Sequence, residues 1–139
     1  MKGNKAIICD IDGTLADMGT RKPYDFEHVD RDTVKHAAAE TVRVFHKTGY
    51  RIILFSGRED SSKAKTTAWL NRNEIPFHEL HMRRSKDFRK DAIIKKELYE
   101  AHVKNKYEVL FVLDDRDQVV KMWREELNLP CFQVDYGNF

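Results

Sequence analysis

The sequence predicts an α/β fold, with a central five-stranded parallel sheet and helices on both faces. Two observations lead there. Short apolar runs alternate with longer stretches of helical period, which is how a parallel sheet covered on both faces reads in a chain. The longer stretches also carry their own ends, with aspartate or serine in front and Gly49, Pro76 or Pro130 behind. At 139 residues the chain is of single-domain size, and no repeat, low-complexity segment or linker divides it, so residues 1–139 are expected to form one domain.

The first strand is AIIC, residues 6–9, apolar throughout. A helix follows, capped by Asp30 or Asp32, presenting Val34, Ala38, Val42 and Phe45 and stopping near residue 48, before Gly49. RIILFS, residues 51–56, is the second strand. Ser61 or Ser62 opens the next helix, which must end before Pro76. FHELHM, residues 77–82, is the third strand, and a third helix over residues 89–103 turns Ile93, Ile94, Leu98 and Ala101 inward. EVLFVLD, residues 108–114, is the fourth strand. The fourth helix, residues 117–127, buries Val119, Val120 and Trp123, and CFQV, residues 131–134, completes the sheet.

Composition narrows the setting. With 41% apolar and 35% charged residues the chain reads as a folded globular protein rather than a disordered or fibrous one. A net charge of +2, from 25 basic and 23 acidic residues, is too small to announce a nucleic-acid partner, so the distribution of charge matters more than its sum. Cys9 and Cys131 lie in apolar runs and read as buried free thiols of a reducing compartment. No apolar run nears the roughly 18 residues a membrane span needs, and the first residues are too short for a leader, so a cytoplasmic location is expected.

The chemistry gathers where the strands end. Asp10 and Asp12, two residues apart in extended backbone, point to one side at the carboxyl end of the first strand. Two carboxylates that close repel unless a cation joins them or one carries a proton. Ser56-Gly57-Arg58 ends the second strand with a hydroxyl, an exposed backbone N–H and a fixed cation, a set suited to phosphate oxygens. Asp114-Asp115-Arg116 ends the fourth with a second acidic pair, and four carboxylates in two clusters suit a hard cation such as Mg²⁺. On the third helix Asp91 and Lys95 stand at i, i+4 and can pair, which lets Asp91 hold Lys95 toward a phosphoryl group. His78 and His81 do not form a zinc pattern, because on a strand they face opposite ways.

Asp10-Ile11-Asp12-Gly13-Thr14, Ser56-Gly57-Arg58, Lys95 and Asp114-Asp115 match in order the four motifs of the haloacid dehalogenase (HAD) superfamily of phosphohydrolases, and the match spans nearly the whole chain. DIDGTLADMGTRKPYDFE, GYRIILFSGRE, RKDAIIKKELYEAH and LDDRDQVVKMWR resemble one branch more closely, the 3′-phosphatase domain of phage-type polynucleotide kinase-phosphatase. The resemblance implies a Rossmann-like HAD fold in which the strand at 6–9 neighbours the strand at 108–114, placing Asp10 and Asp115 at the topological switch point. It implies that Asp10 is the nucleophile, forming an aspartyl-phosphate, and that Asp12 gives a proton to the leaving group and later takes one from water. Mg²⁺ is implied as cofactor, held by Asp10, the backbone carbonyl of Asp12, Asp114 and Asp115. Ser56 and Lys95 would bind phosphoryl oxygens, Asp91 would orient Lys95, and Arg21, Arg58 and Arg83 belong to the site. Thr14, Gly57 and Arg116 complete the expected substrate-binding set.

Many HAD enzymes of small substrates insert a cap domain after the first or second motif. Here about 40 residues separate Asp12 from Ser56 and about 30 separate Arg58 from Lys90, which leaves no room for a large cap. An open site suits a large substrate. RRSKDFRK, residues 83–90, holds five cations and one acid, a local +4 that can follow a phosphate backbone, with Tyr24, Phe26 or Phe88 available to stack on bases. The function expected is therefore a Mg²⁺-dependent phosphomonoesterase acting on 3′-phosphates of DNA or RNA ends, with 2′,3′-cyclic ends also implied by the family. A phosphatase of mononucleotides or other small esters stays open as an alternative, as does a non-catalytic module that binds nucleic-acid ends. The chain holds no Gly-x-x-x-x-Gly-Lys-Ser/Thr loop, so a cooperating 5′-kinase or ligase is expected on a separate polypeptide.

Overall fold

The computed structural model describes residues 4–22 and 24–139; residues 1–3, read above as too short for a leader, and Pro23 lie outside the described residues. Five strands form one parallel sheet: β1 (Lys5–Asp10), β4 (Arg51–Glu59), β5 (Glu79–Arg83), β6 (Glu108–Asp114) and β7 (Cys131–Gln133), in the order β5-β4-β1-β6-β7. β1 lies at the centre and pairs with β4 on one side and β6 on the other. The chain lays down β4 and β5 to one side, then crosses to β6 and β7, so the order reverses at the end of β1.

Alternation along β1 divides the core. Ile7 and Cys9 join one apolar cluster with Ala39 and Val42 of α1 (His36–Lys47) and Trp69 and Leu70 of α2 (Lys63–Arg72). Ala6 and Ile8 join the other with Val119 and Val120 of α4 (Asp117–Lys121), Trp123 of the π-turn Met122–Glu126, and Leu98 of α3 (Asp91–His102). Both faces of the strand are buried, which is why its sequence is apolar without a break.

Between β1 and α1 the chain forms a small antiparallel ribbon, β2 (Ala16–Asp17) with β3 (Thr33–Val34), and a 3-10 helix Phe26–Arg31. This corrects the expected first helix. Asp30 lies inside the 3-10 helix, Asp32 is extended just after it, and α1 starts only at His36, behind Lys35, with no side-chain cap. Ser62 does precede α2, but its hydroxyl donates to the Glu59 carbonyl instead of capping the helix.

The face of α3 is also rotated from expectation. Asp91, Ile94 and Lys95 are buried and Leu98 is partly so, whereas Ile93 and Ala101 are exposed. Two charged residues occupy the inward stripe because they have partners there, described below. Cys9 and Cys131 are buried and unbridged, as expected. Among the described residues no helix is long and apolar enough to cross a membrane.

Candidate active site

The carboxyl ends of β1, β4 and β6 and the start of α3 meet at one crevice of about 670 Å³, lined among others by Asp10, Asp12, Arg58 and Asp91. Asp10 is the last residue of β1 and is buried, as are Asp114 and Asp115 at the end of β6. Carboxylate oxygens of these three acids lie within 4.8 Å of one another. Lys95 reaches them from α3, its Nζ 2.7 Å from Asp10 Oδ1 and 3.0 Å from Asp114 Oδ2. Asp91, one turn earlier, stands 3.6 Å from the same ammonium. The i, i+4 pair is therefore formed, and it faces the acids and not solvent.

Neighbours fix the acids further. Thr14 Oγ1 donates to Asp10 Oδ2 at 3.0 Å, and Trp123 Nε1 donates to Asp114 Oδ2 at 3.2 Å. Burial, with Asp114 close by, pushes the Asp10 carboxyl well above its usual range, although Lys95 pulls it down. Burial likewise raises Asp115. Lys95 carries its own desolvation penalty, but Asp10, Asp114 and Asp91 outweigh it and its pKa is raised. Asp10, Asp114 and Asp115 thus gather around a single ammonium, that of Lys95, so this cluster holds more acids than cations.

That donor set fits a hard divalent cation, since all three ligand groups are oxygen anions at short mutual range. Gly13 tightens the fit. Its φ is +84°, which favours glycine, and a Cβ there would lie 2.0 Å from Asp115 Oδ2. The loop and the acid occupy space that a side chain would need.

Asp12 belongs to a second, separate network. Arg58 holds it through Nη2, 2.7 Å from Oδ1, and through Nε, 3.1 Å from Oδ2, while Arg21 Nη2 reaches Oδ1 at 3.1 Å. Arg58 is fully buried because β4 bulges: pairing with β5 passes from Ser56↔Met82 directly to Glu59↔Arg83, freeing Gly57 and Arg58 from the ladder. Its Nη1 donates to Thr66 Oγ1 at 3.0 Å. Its guanidinium is thus turned on Asp12 and Asp32.

Asp32, taken from the sequence as a helix cap, is the residue that holds the two arginines. It accepts from Arg21 at 2.9 Å and 3.0 Å and from Arg58 Nη2 at 2.9 Å, with its side chain fully buried. The signal available in the sequence was weak, an acid eleven residues after Arg21 with no motif around it. Trp123 was read as apolar core, and its N–H on Asp114 could not be foreseen from helical spacing.

Of the remaining expected residues, Gly57, Arg83 and Arg116 line the same crevice, and Ser56 is buried next to Gly57. Ser56 Oγ accepts the Arg58 N–H at 3.0 Å. Gly57 lies against Asp91, whose Oδ1 would be 2.4 Å from a Cβ at that position. Arg83 spends its donors on the carbonyls of Gly57, Asp87 and Arg89, with Asp91 Oδ1 3.4 Å from Nη2. Arg116 stacks on Phe139, donates to its carbonyl and stands 3.9 Å from Asp91 Oδ2.

Comparison with known proteins shows the family and the fold. The family described as polynucleotide kinase PNKP phosphatase domain matches residues 4–139. A protein named "Putative bifunctional polynucleotide kinase/RNA ligase", from Autographa californica nuclear polyhedrosis virus, is 36% identical over 141 residues, 97% of this chain and 20% of that protein. A chain of the solved Pnkp1/Rnl/Hen1 complex superimposes with a TM-score of 0.96 at 47% identity, over 98% of this chain and 47% of its own length. The class C acid phosphatase of Bacillus anthracis, at 16% identity and a TM-score of 0.64 over 86% of this chain and 54% of its own, shares the fold. The present chain thus spans about a fifth of the viral relative and about half of the chain in the complex. With its parallel sheet, its acids at the strand ends and a family match over nearly its whole length, the chain belongs to the polynucleotide kinase PNKP phosphatase-domain family of HAD-type phosphatases.

Proposed function

We propose that this domain removes 3′-phosphates from polynucleotide ends by way of an aspartyl-phosphate on Asp10. The observation that carries the proposal is that Asp10 and Asp12 have separate partners at one open crevice, Asp10 buried against Lys95 and Asp12 held by Arg58 and Arg21. An Asp10 oxygen attacks phosphorus as the P–O3′ bond breaks, and Asp12 gives its proton to the departing O3′. Asp12 then accepts a proton from the water that attacks the same phosphorus, which restores the Asp10 carboxylate and releases phosphate. Lys95 and the Ser56 hydroxyl neutralise charge on the phosphoryl oxygens, and Asp91 keeps Lys95 in place. Asp10, Asp114, Asp115 and the Asp12 backbone carbonyl would hold Mg²⁺, which when bound offsets the repulsion between the Asp10 carboxylate and a phosphate dianion.

The substrate follows from access and family. Between Asp12 and Ser56 the chain makes a short ribbon, a 3-10 helix and α1, none of which forms a closed chamber over Asp10. The names of the relatives, a kinase/RNA ligase and a Pnkp1/Rnl/Hen1 complex, support RNA ends as substrates and a kinase or ligase working on the same ends. Phosphate release from matched 3′- and 5′-phosphorylated oligonucleotides, each with Mg²⁺ and with chelator, tests the reading. Release from the 3′ end only, abolished by chelator, is expected. Equal release from both ends would overturn the claim of 3′ specificity, and release that survives the chelator would overturn the metal.

A further inference from the structure

Phe88 is out of place for an aromatic residue on a well-braced loop. It is 84% exposed, although the backbone on either side of it is pinned. Arg83 Nη1 donates to the carbonyls of both Asp87, at 2.8 Å, and Arg89, at 2.6 Å, so one guanidinium grips the chain before and after Phe88. Arg83 Nε meanwhile donates to the Gly57 carbonyl at 2.8 Å, which ties that grip to the loop carrying Ser56 and Arg58. Asp87 is paired with Arg89 at 2.8 Å, and Arg89 with Glu97 of α3 at 2.8 Å. The backbone that carries the phenyl ring is thereby held in place, with the ring in water, when a slack loop would let it fold onto apolar surface.

The place is the crevice that contains Asp10 and Asp12, which Phe88 lines together with Tyr24 and Lys90. Tyr24 is 86% exposed, and Lys90 makes no ion pair among the described residues. A rigid, solvent-facing ring beside an unneutralised ammonium matches an unstacked base and its adjoining phosphate, since every base offers a π-face and every linkage an anion. We infer that Phe88 is the stacking platform for the 3′-terminal nucleobase of an unpaired polynucleotide end, with Arg83 as the positioning residue that holds the platform. The inference rests on the reading of the site as a polynucleotide end phosphatase and names what that site grips beyond the phosphate. It also gives Arg83 work apart from contact with the phosphoryl group.

The test compares three phosphate esters on wild type, Phe88→Ala and Phe88→Trp: a 3′-phosphorylated oligonucleotide, the same oligonucleotide with an abasic 3′-terminal sugar, and p-nitrophenyl phosphate. Because Phe88 is exposed, neither substitution disturbs the core. Phe88→Ala is expected to lower the ratio of kcat/KM for the oligonucleotide to that for the small ester about tenfold, mainly through KM, and Phe88→Trp to keep it. The abasic oligonucleotide should show a much smaller drop on the same substitution. Wild-type preference for the oligonucleotide with an unaltered ratio in Phe88→Ala, or an equal drop on the abasic end, would overturn the platform alone. A wild-type enzyme that takes the small ester as readily as the oligonucleotide would overturn the end-phosphatase reading itself, and the platform with it.

Discussion

Replacing Asp32 probes the part of the site that has no motif. Its carboxylate makes three charge-assisted hydrogen bonds, two with Arg21 and one with Arg58, and the side chains involved are 4%, 0% and 0% exposed. Among the described residues Asp12 would then be the one carboxylate left in an ion pair with either guanidinium. Removing one partner of a buried ionic pair costs about 3–5 kcal/mol, because the remaining charge keeps its desolvation penalty. Asp32→Ala should therefore lose an amount in that range, a large part of the ~5–15 kcal/mol that holds an ordinary domain together. Asp32→Asn keeps the shape and one acceptor oxygen and should lose less, about 2 kcal/mol, the scale of one charged hydrogen bond. Its effect on turnover should be larger than its effect on folding suggests. Both arginines would close on Asp12, and a displacement of that carboxylate by about an ångström can cost on the order of 100-fold in kcat/KM. Urea unfolding and steady-state kinetics on Asp32→Asn measure the two effects separately. Wild-type stability together with wild-type kcat/KM in that variant would refute the role given to Asp32.

Three further outcomes follow from the same geometry. Gly57→Ala places a Cβ 2.4 Å from Asp91 Oδ1, so Asp91 must move and Lys95 loses its brace; kcat should fall with little change in KM, and unaltered kinetics would show that Asp91 does not position Lys95. Burial raises the Cys9 thiol well above its usual value and the Cys131 thiol to about 12, so a thiol reagent at pH 8 should label neither in the native protein and both in denaturant. The raised carboxyls of Asp10 and Asp115 give a pH dependence to metal binding. Between the ordinary carboxylate range and their raised values the folded chain holds more protons than the unfolded one, so without metal stability falls as pH rises through that window. Mg²⁺ competes with those protons, and the rise in melting temperature that it causes should grow as pH increases through the same window. A rise of constant size across the window would contradict the assignment of these acids as ligands.

The fold could be read from the sequence because the central strand, buried on both faces, is written as an apolar run and the flanking strands keep enough of that pattern, and all five expected strands are present. The acids at the strand ends were equally legible, since Asp10-x-Asp12 and Asp114-Asp115 carry their geometry in their spacing. What could not be read was pairing through space. Asp32 lies in a stretch rich in aspartate, where helix capping is the local explanation, and only the arrival of Arg21 and Arg58 from elsewhere claims it. The rotation of α3 has the same origin. Apolar periodicity favoured Ile93 and Ala101, but Lys95 and Asp91 have carboxylate and arginine partners inside, so residues 91, 94, 95 and 98 take the inward stripe. Nor does local pattern announce a bulge such as the one that buries Arg58, because the sequence of β4 runs on through it.

The charge balance is what would let two aspartates only two residues apart do the different work proposed for them. Around Asp12 the count closes, with Asp12 and Asp32 against Arg21 and Arg58. The two arginines fix the Asp12 carboxylate in one orientation, as the proposed passing of protons to and from it requires. Around Asp10 the count stays open, with Asp10, Asp114 and Asp115 against Lys95. A divalent cation would close it, and in closing it would remove the charge that keeps a phosphate dianion away from its nucleophile. Exchanging the environments would disable the proposed attack, since an Asp10 caged by arginines would be a poor nucleophile. Adding a cation to the first network or removing Lys95 from the second should therefore harm different steps, proton transfer in one case and attack in the other. With p-nitrophenyl phosphate, whose leaving group needs no proton, a burst of phosphoryl-enzyme that forms normally but decays slowly would mark the first kind of damage, and absence of the burst the second.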